Sequence, residues 1–222
     1  MKNYKLLIPL ISFYITILLT SNIVSTKITH FWGFTFDAGT ILFPLSYIFG
    51  DILTEVYGYK ETKKVIWIGF FSLFLMSVII ILVGVLPPAN DWNFQQDYQN
   101  ILGFTPRIIG ASLVAYLIGE FCNSYILAKI KLKMKGKLLF IRTIGSTLVA
   151  EVFDTFIFVF LAFYGVFDNH ILWLIIFSNY IFKIGVEILF TPFTYTLVNK
   201  FKKSEKMDFY DTKTDFNPFT LG

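Results

Sequence analysis

The sequence is short of charge, cysteine and histidine. Only 15% of its 222 residues are charged, while 55% are hydrophobic. A soluble domain carries roughly 25% charged residues, so this chain has too few to cover a globular surface in water. An apolar solvent removes that demand. The single cysteine, Cys122, excludes an intrachain disulfide and a thiolate metal cluster. The two histidines, His30 and His170, fall outside the apolar runs. An H-E-x-x-H metal helix and an intramembrane serine–histidine pair are thereby excluded. No G-x-x-x-x-G-K-S/T phosphate loop occurs, so the chain does not itself harness ATP. No catalytic residue, cofactor or metal ligand set is expected. The 27 phenylalanines accompany abundant Ile and Lys and are not in themselves read as an aromatic binding site.

What is present is a series of apolar runs. A spanning helix needs about 20 mostly apolar residues, and six stretches qualify: 6–26, 38–57, 65–86, 108–129, 143–165 and 171–198. The second and fourth are the least apolar. The first has a basic start, as a signal peptide would, but it lacks a small-x-small cleavage site and is expected to be retained. Sixteen of the nineteen Lys and Arg residues fall on one side of this arrangement. They are Lys2 and Lys5, then Lys60, Lys63 and Lys64, then the group from Lys129 to Arg142, then Lys200 onward. Lys27 and Arg107 fall on the other side, and Lys183 lies within the last run. Positive charge thus alternates with each crossing. The expected fold is all-α: a polytopic membrane protein with six transmembrane helices and both termini in the cytoplasm. Residues 1–203 form the membrane domain, and 204–222 a polar, disordered cytoplasmic tail. The basic run 129–137 reads as a topology determinant rather than a nucleic-acid surface. The longest outer loop, 87–106, reads either as a small lid or as a surface segment.

Ionisable side chains inside spanning segments cost about 2.5–3.5 kcal/mol each on insertion scales, yet this chain carries several, in helical pairs. Asp51 and Glu55 lie on the second run. Glu120 with Asn123 and Ser124 lies on the fourth, Glu151 with Asp154 on the fifth, and Asn179, Lys183 and Glu187 on the sixth. Ser21, Asn22 and Ser25 lie on the first. Spacings of three and four put each set on one helix face, which should turn to the protein interior or a polar cavity. A structural network of ion pairs and hydrogen bonds accounts for some of them. It does not account for so many carboxylates beside one intramembrane cation. The segments GDILTE (50–55), GEFCNS (119–124) and AEVFDT (150–155) echo one another. The first and third of these would correspond in an inverted repeat of three helices plus three.

The segment FPLSYIFGDILTEVYGYK (43–60) resembles the signature of the queuosine-precursor transporters, also described as vitamin-uptake transporters of the VUT type. SNIVSTK (21–27), RIIGASLVAYLIGEFCNSYILAKIK (107–131) and RTIGSTLVAEVFDTFIF (142–158) extend the resemblance in order along the chain. It implies a six-helix inner-membrane importer, not an enzyme, for 7-deazaguanine bases: the cyano or aminomethyl precursor of queuosine, or queuine. It also implies a polar lining of Asp51, Glu55, Glu120, Asn123, Glu151 and Asp154. Some members carry Asp where this chain has Asn123, which bears on the choice of base. To these residues the helix-face reading adds Asn22, Asn179, Lys183 and Glu187. A carboxylate accepts two parallel hydrogen bonds from the ring N–H and amino group of such a base. A Glu on the fourth or fifth run is expected to grip that edge, with Lys183 balancing neighbouring carboxylates. Phe43, Tyr47 and Phe121 are candidates to stack on the base. The expected partners are a nucleobase-like small molecule and the lipid bilayer, with no direct contact to nucleic acid. Self-association is left open. The alternative reading is the substrate-binding membrane subunit of a multi-component vitamin or nucleobase importer.

Overall fold

The computed structural model describes residues 4–24, 26–31, 34–103, 106–165 and 168–220. It is helical apart from one small hairpin. Helix α1 spans Leu7–Val24 and leads into antiparallel strands β1 (Ile28–Phe31) and β2 (Phe34–Asp37), with Ile28 opposite Asp37. A 3-10 turn (Ala38–Leu42), α2 (Phe43–Ile52) and a π-helical turn (Leu53–Tyr57) follow. Then come α3 (Tyr59–Gly84), the short α4 (Gln95–Leu102), α5 (Pro106–Lys133), α6 (Leu139–Phe163) and α7 (Asn169–Glu205). Among the described residues, five helices, α1, α3, α5, α6 and α7, are long and apolar enough to cross a bilayer. This is a multi-pass membrane protein. At 37 residues, α7 is about 55 Å long at 1.5 Å per residue, well beyond a hydrocarbon core of about 30 Å.

The run 38–57 is not one uniform helix. Pro44 suits the first turn of α2, and the glycine after Tyr57 stops the helix. Gly58 has φ +86°, and a Cβ there would overlap the Phe209 ring, so only glycine fits. The run nevertheless lies antiparallel to α1 along its length. Ala38 N–H donates to the Lys27 carbonyl (2.8 Å) beyond the end of α1. At the other end the Tyr57 ring meets that of Tyr4 edge-on at 5.3 Å.

Burial is inverted relative to a soluble protein. Ile68, Phe71, Phe74 and Leu75 on α3 point outward, as do Phe153, Phe156 and Phe160 on α6 and Trp173, Phe177 and Leu189 on α7. Arg142, Lys131, Lys63, Asp51 and Glu55 are buried. The apolar core joins Leu10, Tyr14 and Leu18 of α1 to Ile48 and Ile52 of α2 and Leu73 of α3. Helix α4 lies against the end of α3, where Gln95 donates to the Gly84 carbonyl (2.8 Å).

Both ends of the chain meet at one end of the bundle. Glu205, at the close of α7, accepts from the backbone N–H groups of Lys5 (3.2 Å) and Leu6 (2.6 Å) and from the Tyr57 hydroxyl (3.0 Å). The segment beyond α7 differs from the disordered tail expected. It folds back along the start of α3, because its backbone carbonyls and carboxylates complete groups left open there. Asp211 accepts from the Tyr59 N–H through both oxygens (3.1 Å). It thereby caps α3 from a distance, since Gly58 at the N-cap has no side chain. The Lys63 ammonium donates to the carbonyls of Asp215 (3.2 Å) and Asn217 (2.8 Å), and the Trp67 indole to that of Pro218 (2.9 Å).

Candidate functional site

The buried acids fall into two groups at different depths. The first surrounds Glu55, in the π-helical turn near the end where the termini meet. Its Oε1 accepts from Arg142 Nε (2.8 Å), and its Oε2 from Arg142 Nη2 (2.9 Å) and Lys202 Nζ (3.1 Å). Lys131 lies 3.5 Å away and donates to the Glu55 backbone carbonyl and to Asp208 Oδ1 (2.6 Å). Glu55 is thus bound by cations from α5, α6 and α7. It stands one helical turn from Asp51 and within electrostatic reach of it. Its fork-on-fork pair with Arg142 is the strong form of the ion pair. Asp208 lies in the tail, outside the spans. Burial pushes its carboxyl up, but hydrogen bonds from Lys131 and Lys202 overcome this and hold it below the usual carboxylate range.

The second group lies deeper. Along their helices, Glu151 is about 14 Å from Arg142, Glu120 about 16 Å from Lys131, and Glu187 about 22 Å from Lys202, at 1.5 Å per residue. These offsets are about half the thickness of a hydrocarbon core of about 30 Å, while Asp51 lies one turn, about 6 Å, from Glu55. Helix α5 packs along α6, α6 along α7, and α2 against both α5 and α7, so four helices contribute. Lys183 on α7 pairs with Glu151 (2.8 Å) and Asp154 (2.6 Å) on α6. Thr155 donates to Glu151 (3.3 Å). Asp51 on α2 is wholly buried, and neither of its oxygens has a partner at hydrogen-bond distance; Glu187, Glu55, Asn123 and Glu120 lie within electrostatic reach of it. Asn123 Oδ1, Ser124 Oγ and Glu187 Oε1 are likewise buried without a partner. A buried acceptor without a donor costs about 1–3 kcal/mol, so five such atoms gathered on three helices call for an explanation beyond packing. Among the described residues, no group of three or more His, Cys, Asp or Glu side chains is arranged to hold a metal ion.

A glycine brings two of the acids together. A Cβ on Gly50 would lie 3.6 Å from Glu120 Oε2, and one on Gly119 3.0 Å from the Asp154 Cβ. The glycine before Glu120 therefore lets α6 approach α5 closely, whereas a side chain at Gly50 would make ordinary contact.

Of the remaining expected residues, Asn22 donates to its own helix at the Leu18 carbonyl (2.9 Å), and Asn179 is half-buried one turn before Lys183. Phe121 is half-buried, and its ring lies 5.9 Å from that of Trp67 on α3. The side chains of Phe43 and Tyr47 lie outside the described residues. Sequence reasoning missed Arg142 and Lys131, which it counted as loop charges. A signal existed for Arg142, one of only two arginines among nineteen basic residues, because paired recognition of a buried carboxylate favours Arg over Lys. It also missed buried Tyr14 and half-buried Tyr116 beside Glu120, whose hydroxyls lie 3.4 Å apart.

Comparison with known proteins adds the following. Residues 37–197 match the family described as "Putative vitamin uptake transporter". The chain is 30% identical over 188 residues to the "Probable queuosine precursor transporter" of Bacillus subtilis (strain 168), covering 84% of this chain and 82% of that one. It is 24% identical over 192 residues to the "Queuosine precursor transporter" of Escherichia coli (strain K12), covering 85% and 84%. Against the Haemophilus influenzae "Probable queuosine precursor transporter" it is 26% identical over 195 residues, covering 86% and 77%. No solved structure matches the chain.

Proposed function

The chain belongs to the vitamin uptake transporter family, and from that membership we propose that it imports queuosine precursors, 7-deazaguanine bases used in transfer-RNA modification, across the inner membrane. The names of its relatives support this cargo. The observation that carries the site is the set of buried, partnerless acceptors on α2, α5 and α7, beside the Lys183 pairs. Asp51, Glu120, Asn123, Glu151, Asp154, Lys183 and Glu187 line the path. A carboxylate accepts both donors of the base edge at once, and the Asn123 amide reads a neighbouring polar group. Protein groups replace the water that the base loses on leaving solution, as a polar solute in hydrocarbon requires. The role is transport rather than catalysis.

The membrane is crossed six times, with both termini in the cytoplasm. In support, the run 38–57 returns along α1 from its far end to Tyr4. The termini also meet at the end rich in Lys, as the positive-inside rule requires. The cation cage around Glu55 lies between the site and that side, and parting it would open the site inward.

Function is tested by the queuosine content of transfer RNA in a bacterial strain lacking both queuosine synthesis and its own importer. Expression of this chain restores the modification when a precursor base is supplied at low concentration. Unmodified transfer RNA with every base, despite confirmed membrane expression, overturns the proposal.

A further inference from the structure

We propose that the site selects a base bearing a positive charge, a 7-deazaguanine with a primary ammonium, over its neutral nitrile counterpart. This rests on the transport reading above and goes further, to the charge of the cargo.

The polarity of the unsatisfied atoms carries it. In their ionised form Asp51 and Glu187 offer only acceptors, Asp51 Oδ1 and Oδ2 and Glu187 Oε1; Asn123 Oδ1 is likewise an acceptor, and Ser124 Oγ does either. Among the described residues, no buried side-chain nitrogen lacks a partner. The ligand that completes this set must therefore be rich in donors. Charge points the same way. Five carboxyl side chains, Asp51, Glu120, Glu151, Asp154 and Glu187, share the region with the ammonium of Lys183, which Glu151 and Asp154 already engage. Asp51 and Glu187 are 0% and 2% exposed, too deep for bulk water to screen.

An ammonium offers three N–H donors and a unit charge. Placed against Asp51 and Glu187, it satisfies acceptors that have no partner and regains the solvation it lost. A nitrile nitrogen is an acceptor only. In the same place it sets lone pair against lone pair and leaves the carboxyl oxygens unmet. Phosphates and carboxylates are disfavoured more strongly for the same reason. The geometry assigns Asp51 and Glu187 as the residues that determine this preference.

The test compares the aminomethyl and cyano bases in the strain described above, with the host enzymes that use either base retained. Transfer-RNA queuosine is titrated against the external concentration of each. The expected result is half-maximal modification at a concentration at least about tenfold lower for the aminomethyl base, the worth of one charge-assisted contact. The double variant Asp51→Asn with Glu187→Gln loses more aminomethyl than cyano uptake, and the ratio falls toward one. As a check that does not depend on variant folding, the purified wild-type chain in detergent is heated with each base. The aminomethyl base raises the melting temperature more than the cyano base at equal concentration. Equal or better use of the cyano base by the wild type, or an unchanged ratio in a folded double variant, overturns the selectivity and leaves the transport reading standing. Restoration by neither base overturns the transport reading, and this inference with it.

Discussion

Glu55 and Gly58, three positions apart, show how much a single residue decides here. Glu55 has no exposed surface, and its oxygens are taken by Arg142 and Lys202. Glu55→Gln leaves Arg142 buried without a counter-ion. Breaking a buried pair from one side costs about 3–5 kcal/mol. The variant is expected to melt well below wild type in detergent, and a melting curve checks this directly. Gly58→Ala carries two penalties: a positive φ that L-residues rarely adopt, and a methyl group driven into Phe209. A residue forced into φ > 0 loses more than the modest gain that Gly→Ala otherwise brings. Because Phe209 belongs to the tail, protease accessibility beyond residue 206 should rise in this variant, along with the loss of stability. The helical spacing of Asp51, Glu120, Glu151, Asp154, Lys183 and Glu187 was legible in the sequence, since polar residues three and four apart in an apolar run must share a face. The confinement of Glu55 was not. Hydropathy locates a helix end only to within a turn, and one turn separates a loop Lys131 from a buried one.

At the scale of the element, the start of α3 depends on a segment about 150 residues further on. Asp211 supplies the cap that Gly58 cannot. Asp211→Ala is expected to cost about 0.5–2 kcal/mol, the usual worth of an N-cap, and to speed amide hydrogen exchange in the first turn of α3. The same strap responds to acid in a defined direction. Asp208 titrates below its ordinary value because Lys131 and Lys202 hold its ionised form. Its contribution is therefore complete above the unfolded carboxylate pKa of about 3.9 and is lost as the pH falls through the lower folded value. Limited proteolysis of the tail should be constant through neutral and mildly acidic pH and should rise only below about pH 4. The Asp residues past 203 read as part of a solvated extension because their partners, Tyr59, Lys63 and Lys131, lie far away in sequence. The run 38–57 was legible as a membrane-length stretch, but its subdivision was not. A π-turn leaves no hydropathy signature, and the break at Gly58 shows only in its φ and in the approach of Phe209.

For the whole molecule, the distribution of Lys and Arg carried more information than any motif. It implies an even number of crossings, where long helices among the described residues amount to five. The even count is checked by labelling in a Cys122→Ser background, which removes the sole thiol. Cysteines introduced at Lys5 and Lys213 should react with an impermeant maleimide only after the cells are opened, and one at Asp91 should react in intact cells. Labelling of Lys5 and Lys213 positions on opposite sides would reduce the crossings to an odd number.

The cage around Glu55 also imposes an order on biosynthesis. Glu55 leaves the ribosome 87 residues before Arg142 and 147 before Lys202. During that interval its carboxylate has no counter-ion of its own chain from α6 or α7. Only the final stretch of the nascent chain brings Lys202, Glu205 and Asp211 to the groups they complete. A chain cut short before residue 200 would therefore expose its own incompleteness to membrane quality control, with acids uncovered at the end of the bundle where the termini meet.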